Sequence, residues 1–151
     1  MLTKTSEMAI QALVYLARHE NAGAIPPVRL AQRFGASPTY TAKVTNLLVK
    51  AGLLHSHRGP RGGVSLAKPA GEITLLEVVE ACQGRILGDY CQEGARLSAV
   101  CAFHRAMVEL QEAITGVLSR WTVGDIVARA GPAASLRGRV RCKMVCVEET
   151  E

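Results

Sequence analysis

Acidic residues are missing from a long central stretch of this 151-residue sequence: none of its 13 Asp and Glu falls between positions 21 and 71. The stretch does hold Arg29, Arg33, Lys43, Lys50, Arg58, Arg61 and Lys68, seven of the 18 basic residues, which leaves eleven against all 13 acids elsewhere. A basic segment beside a slightly acidic remainder is the electrostatic footprint of a surface for a polyanion. Aromatics are also scarce, at 4% of a chain that is 48% hydrophobic. The core must therefore be aliphatic, and the basic segment lacks the stacking rings of a single-stranded RNA binder. No run approaches the roughly 18 unbroken apolar residues of a membrane span. Residues 1–7 carry one Lys with no purely apolar run behind it, unlike a secretory signal, so the expected location is cytoplasmic, away from membranes. The five cysteines, Cys82, Cys91, Cys101, Cys142 and Cys146, are then expected as metal ligands, redox groups or plain buried thiols rather than disulfides.

Periodicity and punctuation predict a mainly α fold with a small β-hairpin. Ala9, Ile10, Leu13, Leu16 and Ala17 share one face of a first helix over 5–20. A loop over 21–27 ends at Pro26-Pro27, and a short helix over 28–34 is closed by Gly35. Ser37-Pro38 opens a third helix with Val44, Leu47, Leu48 and Ala51 on its apolar side and Gly52 at its end. Two helices joined by Gly35-Ala36-Ser37 form a helix-turn-helix pattern. Two short strand candidates, 53–57 and 64–67, flank Arg58-Gly59-Pro60-Arg61-Gly62-Gly63, which reads as a hairpin with arginines at its tip, a wing. Thr74 and Glu77 form a capping box for a helix through Cys82. A long helix over 101–120 carries Phe103, Met107, Leu110, Ile114, Val117 and Trp121 at alternating steps of four and three, the stripe of a helix that pairs with its symmetry mate. Thr122 to Asp125 begins a last helix to Ala130. The expected organisation is a winged helix-turn-helix over 1–82, a sensor loop over 83–100, a dimerisation helix and short last helix over 101–130, and a loose tail over 131–151.

This arrangement suits a homodimer on a double-stranded DNA operator, because a two-fold protein matches a palindromic site. The third helix would enter the major groove by its first turns. Ser37, Thr39 and Tyr40 offer hydroxyls and backbone N–H groups for phosphates, while Thr39 and Lys43 are placed for base edges. Arg29 adds positive charge, and Arg58 and Arg61 suit a narrow minor groove. Cys101 and His104, three apart on a helix, could serve an enzyme as nucleophile and base. No orienting group or oxyanion site accompanies them, and no enzyme is expected.

With these residues in view, the chain resembles the Rrf-two family of bacterial regulators, which includes iron–sulfur cluster and nitric-oxide sensors. The likeness spans 1–130. It rests on the opening run from Thr3 to Leu13, on Ser37-Pro38-Thr39-Tyr40, and above all on the wing run from Arg58 to Ala67 followed by Glu72 to Ala81. The family wing usually has Gly where Arg61 stands, so this wing carries an extra charge. The resemblance implies a dimer held by the long helix. It also implies a two-iron two-sulfur cluster held by three cysteines and often a histidine. Cys91 and Cys101 match the outer cysteines and His104 the histidine, whereas the middle cysteine is absent. Glu7 stands where some relatives place an acidic ligand, which makes it the candidate fourth. Cys82 reads as a buried thiol, and Cys142 with Cys146 as an incidental pair. The other expectation is a family member without a cluster, controlled by thiol oxidation, a small molecule or a protein partner.

Overall fold

A computed structural model describes residues 2–60, 62–86 and 101–129. Helix α1 (Lys4–Arg18) begins at Thr3, whose side chain accepts a hydrogen bond from the Ser6 N–H, and ends at His19. It stops two residues before the expected end, and Glu20–Ala22 forms a separate 3-10 turn. The stripe read from the sequence is only part of what α1 buries. Ser6, Met8, Ala12 and Val14 are buried beside Ala9, Ile10, Leu13 and Leu16, while Ala17 is half-buried. A helix buried around most of its girth lies at the centre of a domain.

Helix α2 (Pro27–Phe34) starts with a proline in the first turn and ends at Gly35 in the left-handed region, φ 60°. Helix α3 (Pro38–Lys50) is capped by Ser37, whose Oγ accepts from the Tyr40 N–H. Val44 and Leu48 are buried as expected and Leu47 is half-buried. Ala51 is exposed, because it is the cap residue at which the helix has already turned out of the core. Strands β1 (Leu54–His57) and β2 (Gly63–Leu66) pair antiparallel in the register Leu54↔Leu66, His55↔Ser65, Ser56↔Val64, His57↔Gly63.

A third segment, not anticipated, joins the hairpin. Ile25 pairs with Val64 through two 2.9 Å hydrogen bonds, Ile25 N–H to Val64 O and Val64 N–H to Ile25 O. This approach requires Gly63, since a Cβ there would lie 2.4 Å from the Ile25 carbonyl carbon and 2.7 Å from Pro26 N. The wing is thereby fastened to the segment that leads into α2.

Helix α4 (Leu75–Gln83) begins in the capping box of Thr74 and Glu77. Helix α5 (Ala102–Arg120) follows, with Cys101 as its cap residue, and none of its residues is buried. Helix α6 (Val123–Ala128) opens with a second capping box, Thr122 and Asp125, and ends two residues before the expected Ala130. It returns to the domain. The Val123 N–H donates to Ile73 O at 2.8 Å and the Leu75 N–H to Trp121 O at 2.9 Å. Gly124 sits so close to Gly71 that a Cβ would approach the Gly71 backbone to 2.8 Å. Val123 is fully buried in one aliphatic core with Leu13, Leu30, Leu48, Leu53, Leu54, Ile73 and Val78. Each such side chain contributes about 1.5–3 kcal/mol by leaving water. No helix among the described residues is long and apolar enough to cross a membrane.

Candidate nucleic-acid interface and a cysteine–histidine turn

Three elements of the acid-free segment present its charges. Arg29 on α2, Lys43 on α3 and Arg58 at the end of β1 are all exposed. Arg61 lies outside the described residues. At the wing tip the Gly62 N–H donates to Gly59 O at 2.8 Å, with Gly59 at φ 103°, a conformation that favours glycine.

On α3 the residues expected to meet DNA have separate tasks. Thr39 and Lys43 are exposed. Ser37 is exposed, and its Oγ accepts the 3.1 Å capping bond from the Tyr40 N–H. The Tyr40 ring packs on the core and its hydroxyl donates to Thr5 Oγ1 at 3.2 Å, so this side chain braces α3 against α1. Thr41 is buried and donates to Ser37 O at 3.1 Å. Beyond Lys43, the last of the expected contacts, the exposed stripe continues through Asn46 to Lys50. Steps of four, three and four place 39, 43, 46 and 50 on one helical face, a spacing legible from the sequence. Asn is the side chain whose amide pairs twice with adenine.

The second cluster lies at the start of α5. Cys101 is exposed, and its Sγ accepts a 3.4 Å hydrogen bond from the His104 N–H. The His104 Nδ1 is buried and finds no hydrogen-bond partner among the described residues. A sulfur that receives an N–H bond and a ring nitrogen left without a partner, three residues apart, are two donors of the kind iron–sulfur centres take. Cys91, Cys142 and Cys146 lie outside the described residues. Glu7 is exposed on α1, and no group of three or more His, Cys, Asp or Glu among the described residues is placed to hold a metal ion. Within one chain, therefore, Glu7 is not brought together with Cys101 and His104. Cys82, at the end of α4, is half-buried, and burial pushes its thiol pKa up.

Along α5, Phe103, Leu110, Val117 and Trp121 are exposed, with Met107 and Ile114 half-buried between them. Arg129 lies over the Trp121 ring, 5.7 Å from its centre.

Comparison with known proteins agrees with this arrangement. Residues 2–129 match the family model Rrf2, described as an iron-dependent transcriptional regulator. The chain is 33% identical over 128 residues to the HTH-type transcriptional regulator IscR of Citrobacter koseri, covering 83% of this chain and 78% of that protein. The IscR of Salmonella paratyphi B matches to the same extent. Among solved structures, the IscR of T. potens superposes with a TM-score of 0.71 at 25% identity, covering 89% of this chain and 90% of its own. CymR, the global cysteine regulator of B. subtilis, shares the fold with a TM-score of 0.69 at 22% identity, covering 85% and 97%. These relatives are regulators and not enzymes. From the start of α1 to the end of α6, the chain belongs to the Rrf2 family of transcriptional regulators.

Proposed function

We propose that this regulator binds duplex DNA in the cytoplasm as a homodimer and that its signal is read at the start of α5. The observation that carries the DNA reading is the exposed stripe Thr39, Lys43, Asn46 and Lys50 on a helix whose flanking elements present Arg29 and Arg58 and no acid. The α3 stripe enters the major groove, with Lys43 and Thr39 at base edges and the N–H groups behind Ser37 near a phosphate. Arg58, together with Arg61, takes the adjacent minor groove. The apolar stripe of α5 packs against the same stripe of a second copy, which sets the spacing of the two recognition helices. The wing, the recognition helix and α6 share one core, so the DNA-binding unit extends past 1–82 to include the last helix.

For the signal, Cys91, Cys101 and His104, with Glu7 as the fourth ligand, are the residues that would hold a two-iron two-sulfur cluster. The N–H bond onto Cys101 Sγ and the unpartnered His104 Nδ1 fit that role. When bound, such a cluster supplies a centre sensitive to oxidants and nitric oxide. Cys101 also begins α5, so the group that takes the ligand is part of the element that joins the two copies. A second reading is favoured by the exposure of Cys101, which leaves its sulfur open to oxidation in a protein without a cluster. Anaerobic purification followed by iron and sulfide analysis separates the two. Equimolar iron and sulfide with visible absorbance support the cluster; colourless protein without iron, whose operator affinity still responds to peroxide, supports the thiol.

A further inference from the structure

A run of hydrogen bonds ties the end of α4 to the first turn of α3 by way of α1. Gln83, the last residue of α4, accepts at Oε1 from Ser6 Oγ at 2.9 Å and from the Thr3 N–H at 3.3 Å. A backbone N–H can only donate, so the amide oxygen of Gln83, not its nitrogen, faces α1. Ser6 gives its single hydroxyl proton to Gln83. The 3.0 Å contact between the Ser6 and Thr3 hydroxyls is therefore donated by Thr3, whose oxygen accepts from the Ser6 N–H at 3.2 Å. Ser6 is fully buried, so without the Gln83 oxygen its hydroxyl must turn to Thr3 Oγ1, which now donates to it, and the arrangement of the first turn of α1 changes. One residue before Ser6, Thr5 Oγ1 accepts from the Tyr40 hydroxyl at 3.2 Å, and Tyr40 N–H is the group that Ser37 caps. The end of α4 and the start of α3 thus each bond a side chain of the first turn of α1, and the backbone between Thr5 and Ser6 carries the step from one bond to the other.

We propose that Gln83 is a positioning residue for the recognition helix: it fixes the first turn of α1, which through Thr5 and Tyr40 sets the first turn of α3 where Thr39 and Lys43 meet DNA. The proposal rests on the DNA-binding reading above. Gln83 touches no duplex in this account; it acts through Ser6, Thr3 and Thr5. Since α5 also packs on α4, the same helix end stands between the dimerisation element and the DNA-binding surface. The chemistry needed at position 83 is an acceptor oxygen at the end of a side chain of Gln length. Glu supplies it, whereas Met, of similar length, does not.

The test is a double-mutant cycle in the full-length protein. Operator affinity is read by fluorescence anisotropy on a duplex selected from a random-sequence pool by the wild-type protein, and thermal unfolding is recorded for each variant. Gln83→Met, which removes the acceptor of the Ser6 and Thr3 bonds, and Tyr40→Phe, which removes the bond to Thr5, are each expected to weaken binding about fivefold. The double variant should be no weaker than about the worse single one, because both cut the same connection. Gln83→Glu should restore affinity to within about twofold of wild type, and affinity across the variants should not follow their melting temperatures. Multiplicative losses in the double variant, or a Gln83→Glu variant as weak as Gln83→Met, overturn the proposal while leaving the DNA-binding reading intact. A wild-type protein that selects no duplex overturns that reading and the proposal with it. If Gln83→Met does not fold, the Gln83→Glu and Tyr40→Phe pair decides: Gln83→Glu affinity at the wild-type level supports the acceptor role, and a loss of about fivefold contradicts it.

Discussion

Replacing Gly63 with Ala places a methyl group where the backbone of a neighbouring segment already stands. The added Cβ would lie 2.4 Å from Ile25 C, 2.6 Å from Ile25 O and 2.7 Å from Pro26 N. None of these is the end of a flexible side chain, so the Ile25 segment must move off the hairpin. Moving it breaks the two reciprocal 2.9 Å bonds between Ile25 and Val64. At about 1 kcal/mol each, they amount to about 2 kcal/mol. Ile25 and Val64 are each only 4% exposed, and partial hydration of the two side chains adds about 1 kcal/mol. A total near 3 kcal/mol lowers the melting temperature of a domain this size by about 10 °C. Circular dichroism melts of the wild type and Gly63→Ala measure it directly. Gly116→Ala is the control of opposite sign: it lies within α5, nothing stands within 4 Å of its would-be Cβ, and alanine is the better helix former by about 1 kcal/mol. A Gly63→Ala variant melting within about 2 °C of wild type would refute the claim that this backbone approach holds the wing.

The α5 stripe predicts that Val117→Glu, a charge placed at an exposed apolar position, shifts sedimentation from dimer to monomer without unfolding the domain, because no α5 side chain belongs to the core. At Glu77, burial pushes the carboxyl pKa up, but the bonds from Lys68 and from the Thr74 backbone and hydroxyl, with the Lys68 charge, outweigh it and leave the pKa below the ordinary carboxylate value. A depressed folded pKa gives stability that is present above the unfolded value and is lost as pH falls through the folded one. Chemical unfolding midpoints should therefore decline in acid, and decline less in Glu77→Gln. Alkylation with iodoacetamide followed by peptide mapping should modify exposed Cys101 before Cys82, whose raised pKa and partial burial keep it a thiol.

What the sequence disclosed was mostly local. Ser37, Thr74 and Thr122 marked helix starts because a cap is a contact within three residues. The wing was legible because glycine and proline punctuate it. The pairing of Ile25 with Val64 was not, since it spans about forty residues and leaves a single residue with no alternation to read. Burial around α1 was also hidden, because Ser6 and Ala12 are buried by what packs over them and not by their own polarity. The docking of α6 depends on Gly124, whose close approach to the Gly71 backbone only the fold brings about. At the candidate site, the exposure of Thr39 and Lys43 follows from their place after the cap. Asn46 and Lys50 required the stripe to be followed to its end. The inward task of Tyr40 depends on Thr5, 35 residues away.

The central claim is that two copies of this chain, joined along α5, lay α3 and the wing on one duplex. Selection of binding sites from a random-sequence pool by the purified protein tests it most directly. The account predicts enrichment of an inverted repeat whose half-sites are spaced by about one helical turn, roughly 10 base pairs, or a multiple of it. Recovery of sequences with no shared motif, in every redox state of the protein, would contradict it.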